Sequence, residues 1–208
     1  MKKLTHAEIS VNRSTLTDIH NVKRIPVYVV LNSIRSNYNV GSIFRTSDGV
    51  MIEKLFLCGY TPHPPITGNV IASEPAKEKS QLVDHTTDSS PAKAGFGMTI
   101  KKTTGHKEVL KTALGATESV KWEYVKDAKA VILKLKSEGI KICALEQTSK
   151  SKPYFEINKN DFPLCLIVGN EISGVSQELI DLCDFSIEIP QYGIKQSLNV
   201  AVAYGIAV

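Results

Sequence analysis

The stretch LCLIVGNEISGVS, Leu164 to Ser176, decides the architecture. Its opening run, Leu164 to Val168, is apolar at every position. A strand that buries both of its faces belongs in a sheet covered on both sides, as parallel sheets are. Gly169 ends the strand. Glu171 then sits in a polar turn between Gly169 and Gly174, and Val175 to Cys183 reads as a helix.

Strands and helices alternate outward from this point. Toward the C-terminus, Phe185 to Ile189 is a strand stopped by Pro190. A helix follows from about Ser197 to the last residue, small and apolar all round. Such a helix should be buried on every side, inside the protein or against a partner subunit. Toward the N-terminus, Lys141 to Leu145 is a strand. Before it, Ala128, Val131, Ile132 and Leu135 recur at the 3–4 spacing of a one-sided helix, over Asp127 to Glu138, which Gly139 ends. Residues 146–162 form a polar loop. Further upstream, Pro26 opens the β-branched strand VYVVLN, and a helix starts near Asn39 or Val40. Lys54 to Cys58 is a strand, and Lys121 to Val125 a short extended piece. Residues 1–24 are a polar lead-in with a short helix. The pattern is α/β, with a mainly parallel sheet and helices on both faces.

The 208 residues fit one domain, residues 25–208, with an excursion. Residues 66–105 are rich in Ser, Thr, Lys, Pro and Gly with few apolar positions, too long for a structureless loop in a compact domain. They read as a disordered or loosely packed insertion. Lys plus Arg number 25 against 21 acids, a net charge of +4 that permits a polyanionic partner without demanding one. Cys58, Cys143, Cys165 and Cys183 are far apart and the five histidines do not cluster, so no metal site is expected, and the thiols read as reduced, buried hydrophobes. No apolar run reaches the ~20 residues of a membrane helix. The first ten residues lack the apolar stretch of a secretory signal, which points to the cytoplasm.

The familiar phosphate-binding and hydrolase motifs are missing. There is no G-x-x-x-x-G-K-[ST] and no G-x-S-x-G, and Gly95-Phe96-Gly97 lacks a third glycine and a preceding strand. Polar residues and glycines instead gather where three strands end, the place where open α/β sheets bind ligands. The first group is NVGSIFRT, with Asn39 suited to cap a helix, Gly41 allowing close approach to the backbone, and Arg45 two turns along. The second is the Glu171 turn. The third is IPQYGIKQSLNV, where Ser197 and Asn199 flank the start of the last helix. Taken singly, each reads as surface pairing or helix capping.

Together, in this order and spacing, the three groups resemble the TrmH (SpoU) family of RNA ribose 2′-O-methyltransferases in the SPOUT superfamily. N-x-G-x-x-x-R-T resembles the family's first motif, G-N-E-x-x-G-V-S its second and I-P-x-x-G-x-x-x-S-L-N-V its third. KTALGATESVKWEY, Lys111 to Tyr124, resembles the stretch between them. The likeness covers residues 25–65 and 106–208, and joining Pro65 to His106 would restore the family's usual short link.

The resemblance implies a C-terminal trefoil knot (the α/β knot) that binds S-adenosylmethionine, largely through backbone groups, at positions matching Leu145, Gly169, Ile189 and Leu198. It implies a homodimer with its active site at the subunit interface, and an RNA substrate. Arg45 matches the catalytic arginine, with Asn39, Glu171, Ser197 and Asn199 around it. Asn39 would orient Arg45 or the ribose. Only about 25 residues precede the first strand, which leaves no room there for a separate RNA-binding domain and favours tRNA over ribosomal RNA. The alternatives are the same activity on ribosomal RNA, or an inactive SPOUT protein that binds RNA.

Overall fold

The computed structural model describes residues 1–11, 13–65 and 104–208. In chain order the elements are α1 (His6–Ser10), β1 (Ile25–Asn32), α2 (Asn37–Val50), β2 (Ile52–Cys58), α3 (Thr104–Ala113), α4 (Ala116–Ser119) and β3 (Trp122–Val125). There follow α5 (Ala128–Ser137), β4 (Lys141–Leu145), β5 (Lys152–Pro153), β6 (Leu164–Val168), α6 (Gln177–Ile180), β7 (Phe185–Glu188) and α7 (Val200–Ala207). Of the excursion expected at residues 66–105, residues 66–103 lie outside the described residues.

The strands form one sheet in the order β3-β2-β1-β6-β4-β7-β5, and every adjacent pair is parallel. The run that opened the sequence reading, β6, lies at its centre between β1 and β4 and is buried along its length. Its side chains alternate between two cores. Leu164, Leu166 and Val168 join Val29, Leu31 and Phe44 on one face, while Cys165 and Ile167 join Val30, Phe56 and Ile132 on the other. Period-2 alternation between two apolar cores is why a central parallel strand has no polar positions.

Each face is covered by helices whose apolar stripes match it. On one face, α2 contributes Val40, Ile43 and Phe44, α3 contributes Val109 and Ala113, and α7 contributes Tyr204. On the other, α5 contributes Ala128, Val131, Ile132 and Leu135, and α6 contributes Leu179. At ten residues α5 is too short to persist alone, so packing holds it. Asp127 caps its start and Gly139, at φ +79°, takes the chain out of it.

The structure corrects three readings of the sequence. Helix α2 begins at Asn37, and its cap is Ser36, whose hydroxyl accepts the Asn39 N–H at 3.3 Å. Helix α6 is only Gln177–Ile180, because the Leu182 and Cys183 N–H groups bond back three residues and turn the chain into β7. The loop after β4 holds β5 and two short 3₁₀ turns. Helix α7 is only partly covered by its own chain. Only Tyr204 is fully buried, while Leu198, Val202 and Ile206 are 39, 51 and 40% exposed. The sequence reading placed this helix inside the protein or against a partner subunit, and this chain supplies only one wall for it.

Gly41 is also explained here. A Cβ on it would collide with Thr112 and the Val109 carbonyl of α3, so the close approach that Gly41 permits is helix against helix. Helices α3 and α4 had no counterpart in the sequence reading. Arg24, buried at the start of β1, ties this region down by donating to the Ile52 carbonyl at 3.1 Å and the Ser119 carbonyl at 2.9 Å. Cys58, Cys143 and Cys165 are buried, and burial pushes the Cys58 thiol up to about 12. No helix among the described residues is long and apolar enough to cross a membrane.

Candidate active site

The carboxyl ends of β4, β6 and β7 open into one cavity of about 420 Å³. Leu145 lines it from β4, Gly169 from just past β6, and Ile189 from just past β7. Leu198, Ser197 and Glu171 complete it. All four positions matched to cofactor binding therefore meet at one place, together with two of the five matched to catalysis.

The floor is a tight loop. Asn170 and Gly174 exchange backbone hydrogen bonds of 3.1 and 2.9 Å, folding residues 170–174 back on themselves. Any Cβ on Gly169 would strike the Gly174 and Val175 backbone, so only glycine fits. Asn170 locks the loop from inside. Its Oδ1 accepts the Ile172 and Ser173 N–H groups at 2.9 and 3.1 Å, and its Nδ2 donates to the Ser33 carbonyl and the Tyr60 hydroxyl. These bonds join the loop to the segments that follow β1 and β2.

Glu171 projects from this loop onto the start of α2. Its Oε2 accepts the Arg35 N–H at 2.8 Å, and its Oε1 accepts the Ser36 N–H and the Asn39 amide, each at 3.0 Å. The first turn of a helix has unsatisfied N–H groups and a partial positive charge, both matched by a carboxylate. Burial pushes the Glu171 carboxyl up, but the hydrogen bonds from Arg35, Ser36 and Asn39 outweigh it and leave it below the usual carboxylate range.

Asn39 is the joint between the three sequence groups. Its Nδ2 donates to Glu171 and its Oδ1 accepts the Asn199 amide at 3.1 Å. A carboxylate can only accept, which fixes the orientation of Asn39, and that in turn fixes Asn199. Asn199 uses its remaining oxygen to cap α7, accepting the Ala201 N–H at 2.9 Å and the Val202 N–H at 3.4 Å. Residues 132 and 160 positions apart are thus held in one chain of hydrogen bonds.

Arg45 stands apart. It is on the same side of α2 as Gly41, facing α3 and α4, and it lines a second cavity of about 710 Å³ together with Arg13, Asp48 and Leu114. Asn39 bonds Glu171 and Asn199 and not Arg45, so within one chain it does not orient the arginine. Two residues that the sequence reading missed bear on the site. Gln147 donates to the Gln196 carbonyl at 2.7 Å and holds the segment after β7 over the cavity. Glu146 lines the cavity beside Leu145 and accepts the Val175 N–H at 2.9 Å. The one available signal was position, since both directly follow a strand at the ligand-binding edge of the sheet. Among the described residues no group of three metal-ligating side chains occurs.

Residues 91–208 match the model of the SpoU rRNA Methylase family, more than half of the chain. The chain belongs to the SpoU family. It is 40% identical over 91 residues to a tRNA (guanosine(18)-2′-O)-methyltransferase of Aquifex aeolicus, a match covering 42% of this chain and 43% of that protein. It is 26% identical over 200 residues to the 23S rRNA (guanosine-2′-O-)-methyltransferase RlmB of Neisseria meningitidis, covering 96% of this chain and 63% of that one. The chain thus spans about half the length of these relatives. Its fold is that of the AdoMet-bound rRNA methyltransferase from Sinorhizobium meliloti, with a TM-score of 0.64 at 21% identity, covering 91% of this chain and 57% of that one.

Proposed function

We propose that this SpoU-family chain is an S-adenosylmethionine-dependent RNA methyltransferase, acting in the cytoplasm on a ribose 2′-hydroxyl. The observation that carries the reading is the cavity at the ends of β4, β6 and β7, where Leu145, Gly169, Ile189 and Leu198 converge. The site suits that cofactor. Gly169 lets residues 170–174 fold tightly against it at the cavity floor, and the ends of β4, β6 and β7 bring to the cavity backbone groups that suit an adenine and an amino acid moiety. Transfer RNA is the favoured substrate, on the strength of the 40% identity to the Aquifex enzyme.

When bound, S-adenosylmethionine supplies a methyl group on a sulfonium, so attack by an acceptor oxygen leaves a neutral thioether. The chain's own residues then have to place a ribose in line and manage one proton. Arginine keeps its proton throughout the physiological range, so Arg45 holds a phosphate with its planar fork and faces the negative charge that develops on the 2′-oxygen. The Glu171–Asn39–Asn199 chain fixes the segments that border the cavity, and Ser197 contributes a hydroxyl to the ribose side.

Arg45 opens on a different cavity from the cofactor in the same chain, which fits an active site assembled from two subunits. The half-exposed apolar face of α7, with Val202 and Ile206 one turn apart, is the surface we assign to the homodimer. The segment after β7 crosses from that strand to α2, held by the Gln147 and Asn199 bonds. This course supports the trefoil knot.

Calorimetric titration with S-adenosylmethionine tests the cavity, and mapping 2′-O-methyl groups in tRNA and ribosomal RNA incubated with the protein tests the activity. Failure of the cofactor to bind would overturn the reading. Methylation confined to ribosomal RNA would overturn the substrate assignment alone.

A further inference from the structure

The charge of the cofactor cavity is one-sided. Among the described side chains that line it, Glu146 and Glu171 are acidic and none is basic. The two carboxylates are not equivalent. Glu171 is turned onto the start of α2 and takes three N–H donors there, so the helix end offsets its charge. Glu146 is half-buried at the end of β4 and against Gly174. Its Oε1 accepts the Gln147 N–H at 3.0 Å and its Oε2 the Val175 N–H at 2.9 Å. It forms no ion pair among the described residues. A carboxylate has roughly four acceptor sites, so about two remain available to the cavity.

We propose that Glu146 reads the charge of the cofactor: its carboxylate favours the cationic methyl donor over the neutral product, S-adenosylhomocysteine. The two molecules share the adenine, the ribose and the amino acid group, and the donor carries one more positive charge, at sulfur. Apolar contacts hold both about equally, and a fixed negative charge in the cavity favours the cationic one. Two backbone N–H groups pin Glu146, so it does not reorganise when the ligand changes. Loss of that charge on methyl transfer removes the attraction and speeds release of the product. This inference rests on reading the cavity as the S-adenosylmethionine site.

The test is a set of calorimetric titrations with S-adenosylmethionine, S-adenosylhomocysteine and sinefungin, whose amine restores a positive charge without a transferable methyl. Glu146→Gln should weaken the two cationic ligands by about tenfold or more while changing S-adenosylhomocysteine by less than about threefold. Glu146→Asp, which keeps the charge, should keep most of the preference. Binding of S-adenosylhomocysteine shows that the variant cavity is intact. Equal weakening of all three ligands by Glu146→Gln, or an unchanged preference, overturns the proposal while leaving the cavity assignment standing. If the unaltered protein bound none of the three, the cavity assignment would fall and this inference with it.

Discussion

The phenol of Tyr204 shares a 2.7 Å hydrogen bond with the hydroxyl of Ser47, and both residues are wholly buried. The bond joins the helix of the third sequence group to that of the first. Burial pushes the Tyr204 phenol up, which favours its neutral, hydrogen-bonded form. Tyr204→Phe should cost about 1–3 kcal/mol, because it leaves the Ser47 hydroxyl without its partner in the core. Adding Ser47→Ala should recover part of that loss. Urea unfolding of the two single variants and the double variant measures the coupling.

Glu171 links stability to pH. Its folded carboxyl lies below its ordinary range, so the ionised form favours the folded chain. That stabilisation is complete above the unfolded value, about 4.3. It declines as pH falls through the lower folded value and is gone below it. The urea midpoint should drop less steeply between pH 6 and pH 3 in Glu171→Gln than in the parent. Parallel curves would mean that the capping bonds to Arg35 and Ser36 contribute nothing.

At Gly169 the expected loss is steric. Gly169→Ala places a methyl against the Gly174 and Val175 backbone, which has no room to yield. The predicted cost is about 1–3 kcal/mol of stability, with loss of measurable S-adenosylmethionine binding because the loop is the cavity floor. Thermal unfolding and titration of the same sample report both effects.

Arg45→Ala should abolish nearly all methyl transfer while leaving cofactor affinity within a few-fold, since Arg45 does not line the cofactor cavity. Arg45→Lys should not rescue it, because a point charge lacks the planar fork. Near-normal turnover by the lysine variant would rule out the geometric role.

The exposed face of α7 gives a test of assembly. Val202→Asp should leave the single chain folded within about ±0.5 kcal/mol, since this side chain faces outward. It should nevertheless turn a dimer into a monomer in sedimentation, by burying an unpaired charge at the interface. A dimer that survives the change assembles through another surface.

The parts of the fold read correctly from sequence are those where one local pattern has one meaning. Leu164 to Val168 and Lys141 to Leu145 are such runs, and both ends of each agree with the structure. The cap of α2 was misread because Ser36, Asn37 and Asn39 are all suitable caps. The choice depends on Glu171, which frees Asn39 for longer-range bonding and is 132 positions away. Helices α3 and α4 escaped notice because their apolar positions are sparse and their packing depends on Gly41. For α7, composition said that it must be covered but could not say by what. The three sequence groups hold Asn39, Glu171 and Asn199, which the structure joins by hydrogen bonds, whereas Glu146 is a single acid in no motif and emerges only from the shape of the cavity.

The place of β1 in the sheet has a consequence for synthesis on the ribosome. It pairs on one side with β2, its near neighbour in sequence, and on the other with β6, with Val27 opposite Leu164. At translation rates of about 5–20 residues per second, the edge of β1 that faces β6 waits roughly 7–27 seconds for its partner to be made. The strand is rich in β-branched and apolar residues, which makes its open edge the kind that recruits other nascent chains. Solubility during expression should therefore depend on what shields β1 over that interval, and slower translation between β2 and β6 should lower the yield of soluble protein even though the finished fold is unchanged.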